Sequence, residues 1–204
     1  MELTTDFVRA LARIVGPRGV VSSPEGRLTY EADMHTFYRG APDAVVLPET
    51  AEQVLEVVRL CRRERVPVVP RGSGTGLIGG AMAPVGGVMV SMNRMDRVLE
   101  LDFADRCATV QPGLINLWLS NATRPHGYYF APDPSSQMVS SIGGNASTNA
   151  GGPHCLKYGI TVNHVLGLQV ATGAGELVWL GGKAQEVLAL PEVLSKLKDA
   201  ARMP

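Results

Sequence analysis

Cysteine is scarce in this sequence: the 204 residues hold only Cys61, Cys107 and Cys155, widely spaced and in no C-x-x-C pair. That pattern excludes a disulfide framework and argues against a structural zinc site. Aromatic residues are also few, at 5%, so aliphatic side chains must supply the packing within an ordinary apolar share of 45%. An excess of one charge is missing as well. Nineteen basic and nineteen acidic residues cancel to zero, and no basic stripe appears. Nucleic acid and acidic lipid are therefore poor candidate partners. No apolar run reaches the roughly eighteen residues that a membrane span needs. The amino terminus, with Glu2 and Asp6 among its apolar residues, does not read as a signal peptide, so the cytoplasm is the expected location. The histidines His35, His126, His154 and His164 form no recognised metal-ligand spacing, and no nucleophile elbow is present. Metal and hydrolase chemistry thus lack support, and His126, beside Gly127 and Tyr128, reads as structural.

Glycine is what the chain has in quantity: 23 residues, concentrated between 72 and 87 and between 143 and 182. Around them the pattern is mixed. Phe7, Ala10, Leu11, Ile14 and Val15 recur at helical spacing behind the caps Thr4 and Thr5, and Gly16-Pro17 ends that helix. Residues 19–42 are irregular. Val45 to Leu47 reads as a buried strand, Thr50 with Gln53 as a capping box opening a helix, and Val66 to Val69 as a second strand. A strand-helix-strand unit of this kind favours parallel pairing of its two strands through a right-handed crossover. Short strands are expected at 88–90, 98–101 and 108–110, and a helical turn or two at 114–119. Residues 125–158 show almost no periodic pattern, which in a compact domain marks a functional or disordered segment. Val165 to Ala171 and Leu177 to Leu180 flank a turn at 172–175, and residues 185–201 read as a helix.

The segment from Pro70 to Ala81 follows a strand and packs five glycines into residues 72–80. Glycine admits positive φ and lets backbone approach a ligand closely. Successive amides can then face one concavity, a nest for anionic oxygen, with Ser73 and Thr75 adding hydroxyls. The bonding partner of Arg71 is either a phosphate or the end of its own strand. Gly74 to Gly79 matches G-x-G-x-x-G, with Asp96 about twenty residues on, but a dinucleotide fingerprint needs a helix opening inside the motif. Gly79, Gly80, Pro84, Gly86 and Gly87 leave no room for one. A Walker loop fails too, because no Gly-Lys-Ser/Thr follows. A second stretch, Ile142 to Gly152, reads as another donor-rich nest, preceded by the stiff polar run Pro132-Asp133-Pro134-Ser135-Ser136. Asn145 and Asn149 can each donate and accept, which suits the polar edge of a flavin or a pyrophosphate.

These segments, together with Gln111-Pro112-Gly113 and Lys157-Tyr158-Gly159, resemble the PCMH-type FAD-binding domain shared with vanillyl-alcohol oxidase. Within the FAD-linked oxidases they look most like the flavoprotein subunits of glycolate oxidase and D-lactate dehydrogenase. The resemblance runs from about residue 44 to residue 180. It implies an α+β, PCMH-type fold of two α/β subdomains with FAD between them, preceded here by an N-terminal helical segment. The implied division is a helix and arm at 1–43, an FAD-binding domain at 44–183 split near 102, and a helical tail at 184–204. It further implies that Pro70, Arg71, Gly72, Ser73, Gly74, Thr75, Gly76 and Leu77 meet the pyrophosphate. Pro132, Asp133, Ser136, Gly143, Gly144, Asn145, Asn149, Ala150, Gly151, Tyr158, Gly159 and Val165 would line the rest of the cofactor. Some relatives attach the flavin through a histidine of the first loop, where this sequence has Thr75, so non-covalent FAD is expected.

The function implied is that of an FAD-dependent oxidoreductase on a 2-hydroxy acid, hydride passing from the substrate α-carbon to flavin N5. The alternative is a non-catalytic FAD-binding, electron-transfer or assembly subunit of such a complex. Relatives continue past their Gly-Gly-Lys into a flavin-side strand and a cap domain that holds the substrate. This sequence instead continues from Gly181-Gly182-Lys183 into twenty-one residues without glycine. The small-molecule substrate is accordingly expected to bind outside this chain, with a partner subunit possible and no catalytic residue assigned within it.

Overall fold

The computed structural model describes residues 3–35 and 37–182. Helix α1 spans Thr5–Val15, and the Thr4 hydroxyl caps it by accepting the Phe7 N–H at 3.2 Å. Strand β1, Val20–Val21, and the one-turn helix α2, Pro24–Arg27, follow. Strand β2 is Ala44–Val46, helix α3 is Ala51–Arg63 and strand β3 is Val68–Arg71. The Thr50 hydroxyl accepts the Gln53 N–H at 3.3 Å, and Gln53 Oε1 accepts the Glu49 N–H at 2.7 Å. The reciprocal bond of the expected capping box therefore falls one residue early, outside the helix.

Strand β4, Val88–Ser91, completes a four-stranded sheet in the order β1-β2-β4-β3. The expected strand-helix-strand unit exists and its strands are parallel, but they are not neighbours. β4 lies between them, parallel to both, with Val45 and Val69 each opposite Met89. The crossover through α3 thus spans one strand position, which a pattern of 45–69 alone could not reveal. Residues 19–42 are likewise less irregular than expected, because β1 pairs antiparallel with β2 at the sheet edge.

Alternation along these short strands gives the sheet two different faces. Ala44, Val46, Val88 and Val90 pack against Phe7, Leu11 and Val15 of α1 and Val57, Leu60 and Cys61 of α3. Dry surroundings push the Cys61 thiol up to about 12, so it stays a neutral apolar side chain. On the opposite face Val45 and Met89 meet Ala83, Val21, Tyr30 and Val69. Helices therefore cover one side, and the arm and the end of the glycine loop cover the other.

Beyond the sheet, β5 (Val98–Asp102) and β6 (Cys107–Val110) form an antiparallel pair, followed by helix α4, Asn116–Thr123. Two helices occupy the stretch expected to lack periodic structure: α5, Ile142–Thr148, and α6, Cys155–Tyr158. Short length in both, and two glycines in α5, hide any apolar stripe. Strands β7 (Gly167–Ala171) and β8 (Leu177–Gly181) pair antiparallel around the expected turn. That turn is tied to α3, where Arg59 Nε donates to Gly175 O at 2.7 Å and Arg62 Nη1 to Ala174 O at 2.6 Å. The helix expected at 185–201 lies outside the described residues.

Leu11 is fully buried between α1, α3 and the sheet. Leu11→Ala should cost about 3 kcal/mol in urea unfolding, as for a large-to-small core change. A loss under about 1 kcal/mol would show that α1 does not share this core.

Candidate functional site

The polypeptide leaves β3 at Arg71 and reaches β4 at Val88 through a loop with no helix, as the failure of the dinucleotide fingerprint requires. Residues 72–76 are half-buried, and Leu77 and Ile78 stand exposed at the tip. Among the described residues, no backbone N–H from Ser73 to Ile78 donates to a protein acceptor. Four of these six amides belong to half-buried residues, 73–76, and two to the exposed tip. They are available to an outside acceptor. Gly74 has φ +72°, where a side chain would be strained, and a Cβ there would strike the Arg71 guanidinium.

Bonds from outside hold the bend. Arg71, only 8% exposed, donates from Nη1 to Ala81 O at 2.8 Å and from Nη2 to Ala32 O at 2.9 Å. Neither acceptor belongs to β3, so these bonds brace the arm and the loop's exit and not the strand end that one of the two readings expected. Burial pushes its pKa below the ordinary range, and the nearby Asp33 carboxylate pulls it back up. Asp33 in turn accepts the His35 N–H at 2.7 Å and the Gly79 N–H at 3.0 Å. The Met34 N–H donates to Gly76 O at 3.2 Å. Sequence reading missed this arm, because a single acid in an irregular segment carries no periodic or motif signal.

The second glycine stretch meets the first. A Cβ on Gly72 would collide with Ser141 Oγ and lie 3.5 Å from Gly144 Cα, so the two segments abut. The stretch is not, however, the open nest expected. Ser141 caps α5, accepting the Gly144 N–H at 3.3 Å, and Gly143 N–H donates to Pro112 O at 2.8 Å. The amides of Ile142, Asn145, Asn149, Ala150 and Gly152 are also bonded within the protein. Helix formation consumes donors that a glycine count suggests are free.

The asparagines have structural partners as well. Asn145, 4% exposed, donates from Nδ2 to Asn116 Oδ1 at 3.0 Å and to Ser140 Oγ at 3.2 Å. Asn116 is fully buried and donates from Nδ2 to Pro132 O at 3.0 Å, which ties the Pro132 run to α5. Asn149 takes the left-handed conformation at the end of α5, and its Oδ1 accepts the Val162 N–H at 2.9 Å. Asp133 Oδ1 accepts the His154 N–H at 2.9 Å, and Gly152 fits so closely against the Asp133 backbone that no Cβ could be added. Ser136 accepts the N–H groups of Val139 and Ser140 at its carbonyl. Thr161, fully buried, anchors Ala150 through Oγ1 at 2.5 Å. Tyr158 and Gly159 follow at the exposed end of α6, and Tyr158 O contacts His164 Nε2 at 3.0 Å, one residue before Val165. Hydrogen bonds from Tyr129 and Lys157 hold the Tyr158 phenol below its ordinary pKa. His126 stacks on Phe103 at 4.2 Å, in keeping with its structural reading.

A parallel sheet whose strand runs into a bend of free amides, walled by a second glycine segment, defines a phosphate-cofactor-binding domain without a dinucleotide helix. Residues 42–181 match the family described as "FAD binding domain". The chain belongs to that family. It is 47% identical to the glycolate oxidase subunit GlcD of Escherichia coli K12 over 180 residues, 88% of this chain and 36% of that one. Against the Bacillus subtilis glycolate oxidase subunit GlcD identity is 40% over 187 residues, 92% of this chain and 40% of the relative. A solved alkyldihydroxyacetonephosphate synthase superposes with a TM-score of 0.79 at 26% identity, covering 92% of this chain and 40% of that one. The chain thus spans well under half the length of these relatives. The cradle fits FAD: its unengaged amides match a pyrophosphate, and the abutting glycines keep side chains out of the space.

Gly74→Val should lower stability by about 1–3 kcal/mol through its positive φ and weaken FAD binding together. Unchanged FAD affinity in a fluorescence titration would place the phosphates elsewhere.

Proposed function

We propose that this chain is the FAD-binding portion of an FAD-dependent oxidoreductase acting on a 2-hydroxy acid of the glycolate or D-lactate type. The observation that carries the reading is the row of unengaged amides from Ser73 to Ile78, beside a second glycine segment. In this reading the 70–77 segment binds the pyrophosphate. Pro132, Asp133, Ser136, Gly143, Gly144, Asn145, Asn149, Ala150, Gly151, Tyr158, Gly159 and Val165 form the wall along the remainder of the cofactor. When bound, FAD supplies the hydride acceptor for the α-carbon of the hydroxy acid. The protein's share is to bind, orient and exclude water, and Arg71, Asn116, Asn145 and Thr161 act beneath the surface by fixing the loops.

The division into an arm at 1–43 and an FAD-binding region at 44–183 is part of this proposal, supported by the family match over 42–181. So are the substrate site outside this chain, a partner subunit, and the cytoplasm. No helix among the described residues is long and apolar enough to cross a membrane. The second reading is a non-catalytic FAD-binding, electron-transfer or assembly subunit of such a complex.

Absorbance spectroscopy of the purified chain with added FAD tests both. The expected result is a yellow complex whose FAD is released by acid precipitation, since Thr75 offers no histidine for attachment. Bleaching by glycolate would assign turnover to this chain, and colour without bleaching would assign binding alone. Failure to take up FAD would overturn both readings.

A further inference from the structure

Asp33 is a buried acid, 8% exposed, beside a loop read as an anion site, where a carboxylate should repel the ligand. Its surroundings resolve the conflict. One oxygen accepts the His35 N–H within its own turn, and the other accepts the Gly79 N–H from the far side of the glycine loop. Arg71, at the near side, spans the same gap by donating to Ala32 O in the arm and Ala81 O at the loop's exit. Between them the Met34 N–H holds Gly76 O. Three consecutive arm residues, 32–34, therefore grip the loop at its entrance, middle and exit. The Arg71 guanidinium attracts the Asp33 carboxylate and offsets part of its repulsion of an anion.

We propose that Asp33 is a positioning residue which, paired with Arg71, latches the N-terminal arm onto the glycine loop and keeps the amides of residues 73–78 directed to an anion. The proposal deepens the FAD reading and rests on it for the identity of the anion. A flexible run of five glycines in nine residues would otherwise fold onto its own carbonyls or sample many conformations, and either would consume or scatter the donors. External bonds to Gly76 and Gly79 fix the bend without using the amides between. The arm becomes part of the cofactor site without touching the cofactor.

Asp33→Asn keeps the shape of the side chain, removes its charge and turns one acceptor into a donor facing an amide. In the full chain without FAD, hydrogen exchange of the bonded amides of Met34 and Gly79 should quicken about tenfold, while exchange in β2, β3 and β4 stays within about twofold. FAD affinity should fall about tenfold. Asp33→Glu, which retains the charge on a longer stem, should lie between wild type and Asn. Unchanged exchange at Met34 and Gly79, or a rise shared equally by the sheet, would overturn the latch. A variant that fails to fold hands the decision to Asp33→Glu, read by the same measurements. Faster loop exchange in a chain whose wild type binds no FAD would keep the latch and remove the flavin reading, so the two failures are distinguishable.

Discussion

A backbone amide aimed at an external anion cannot also be bonded to its own chain, and this constraint governs the region around residues 73–78. A row of six such amides fits no helix interior and no paired strand, because a helix beyond its first turn and a paired strand both consume amides. The bend must instead be shaped by contacts that leave those donors alone. Carbonyls and flanking amides serve that end: Gly76 O takes the Met34 N–H, Gly79 N–H goes to Asp33, and Ala81 O takes the Arg71 guanidinium. Burying Arg71 and Asp33 together is tolerable because each compensates the other and each is hydrogen-bonded. The sheet beneath provides the rigid base, with Arg71 ending β3 opposite Ser91 of β4.

The opposite wall is built on another basis. Most of its amides are bonded internally, to α5 and its cap and to Pro112, Leu114 and Cys155, so this wall contributes mainly shape. Glycines at 72, 143, 144 and 152 permit approach distances that any side chain would block. Buried amide side chains then lock the pieces: Asn116 joins the Pro132 carbonyl to Asn145, and Asn145 joins Ser140. Such a network is costly when incomplete, which makes it a strong determinant of a single arrangement. One wall therefore offers hydrogen bonds and the other a fixed, close-fitting surface.

Much of the fold was legible because it rests on local rules. Thr4 and Thr50 announced their helices, short apolar runs at 45–47 and 88–90 announced buried strands, and glycine spacing without a following helix separated this loop from a dinucleotide fingerprint. The failures share one cause. Placing β4 between β2 and β3, seating the 31–35 arm on the loop, and spending the amides of 142–152 on a capped helix are all decisions made by partners distant in the chain. Asn145 and Asn149 carry a chemistry that suits a flavin edge and suits equally the bonds they make to Asn116, Ser140 and Val162.

The sequence by itself thus determined the cofactor class, through two glycine-rich segments whose spacing and composition match one family, and it determined α1, β2, α3, β3 and β4 in the first hundred residues, though not β1 or α2. Tertiary structure alone decided which donors remain free for a ligand. Hydrogen-bonding capacity is a property of residue type and can be read along the chain. Whether a given group is already satisfied depends on what folding brings within about 3 Å of it, and that neighbour is usually far away in sequence.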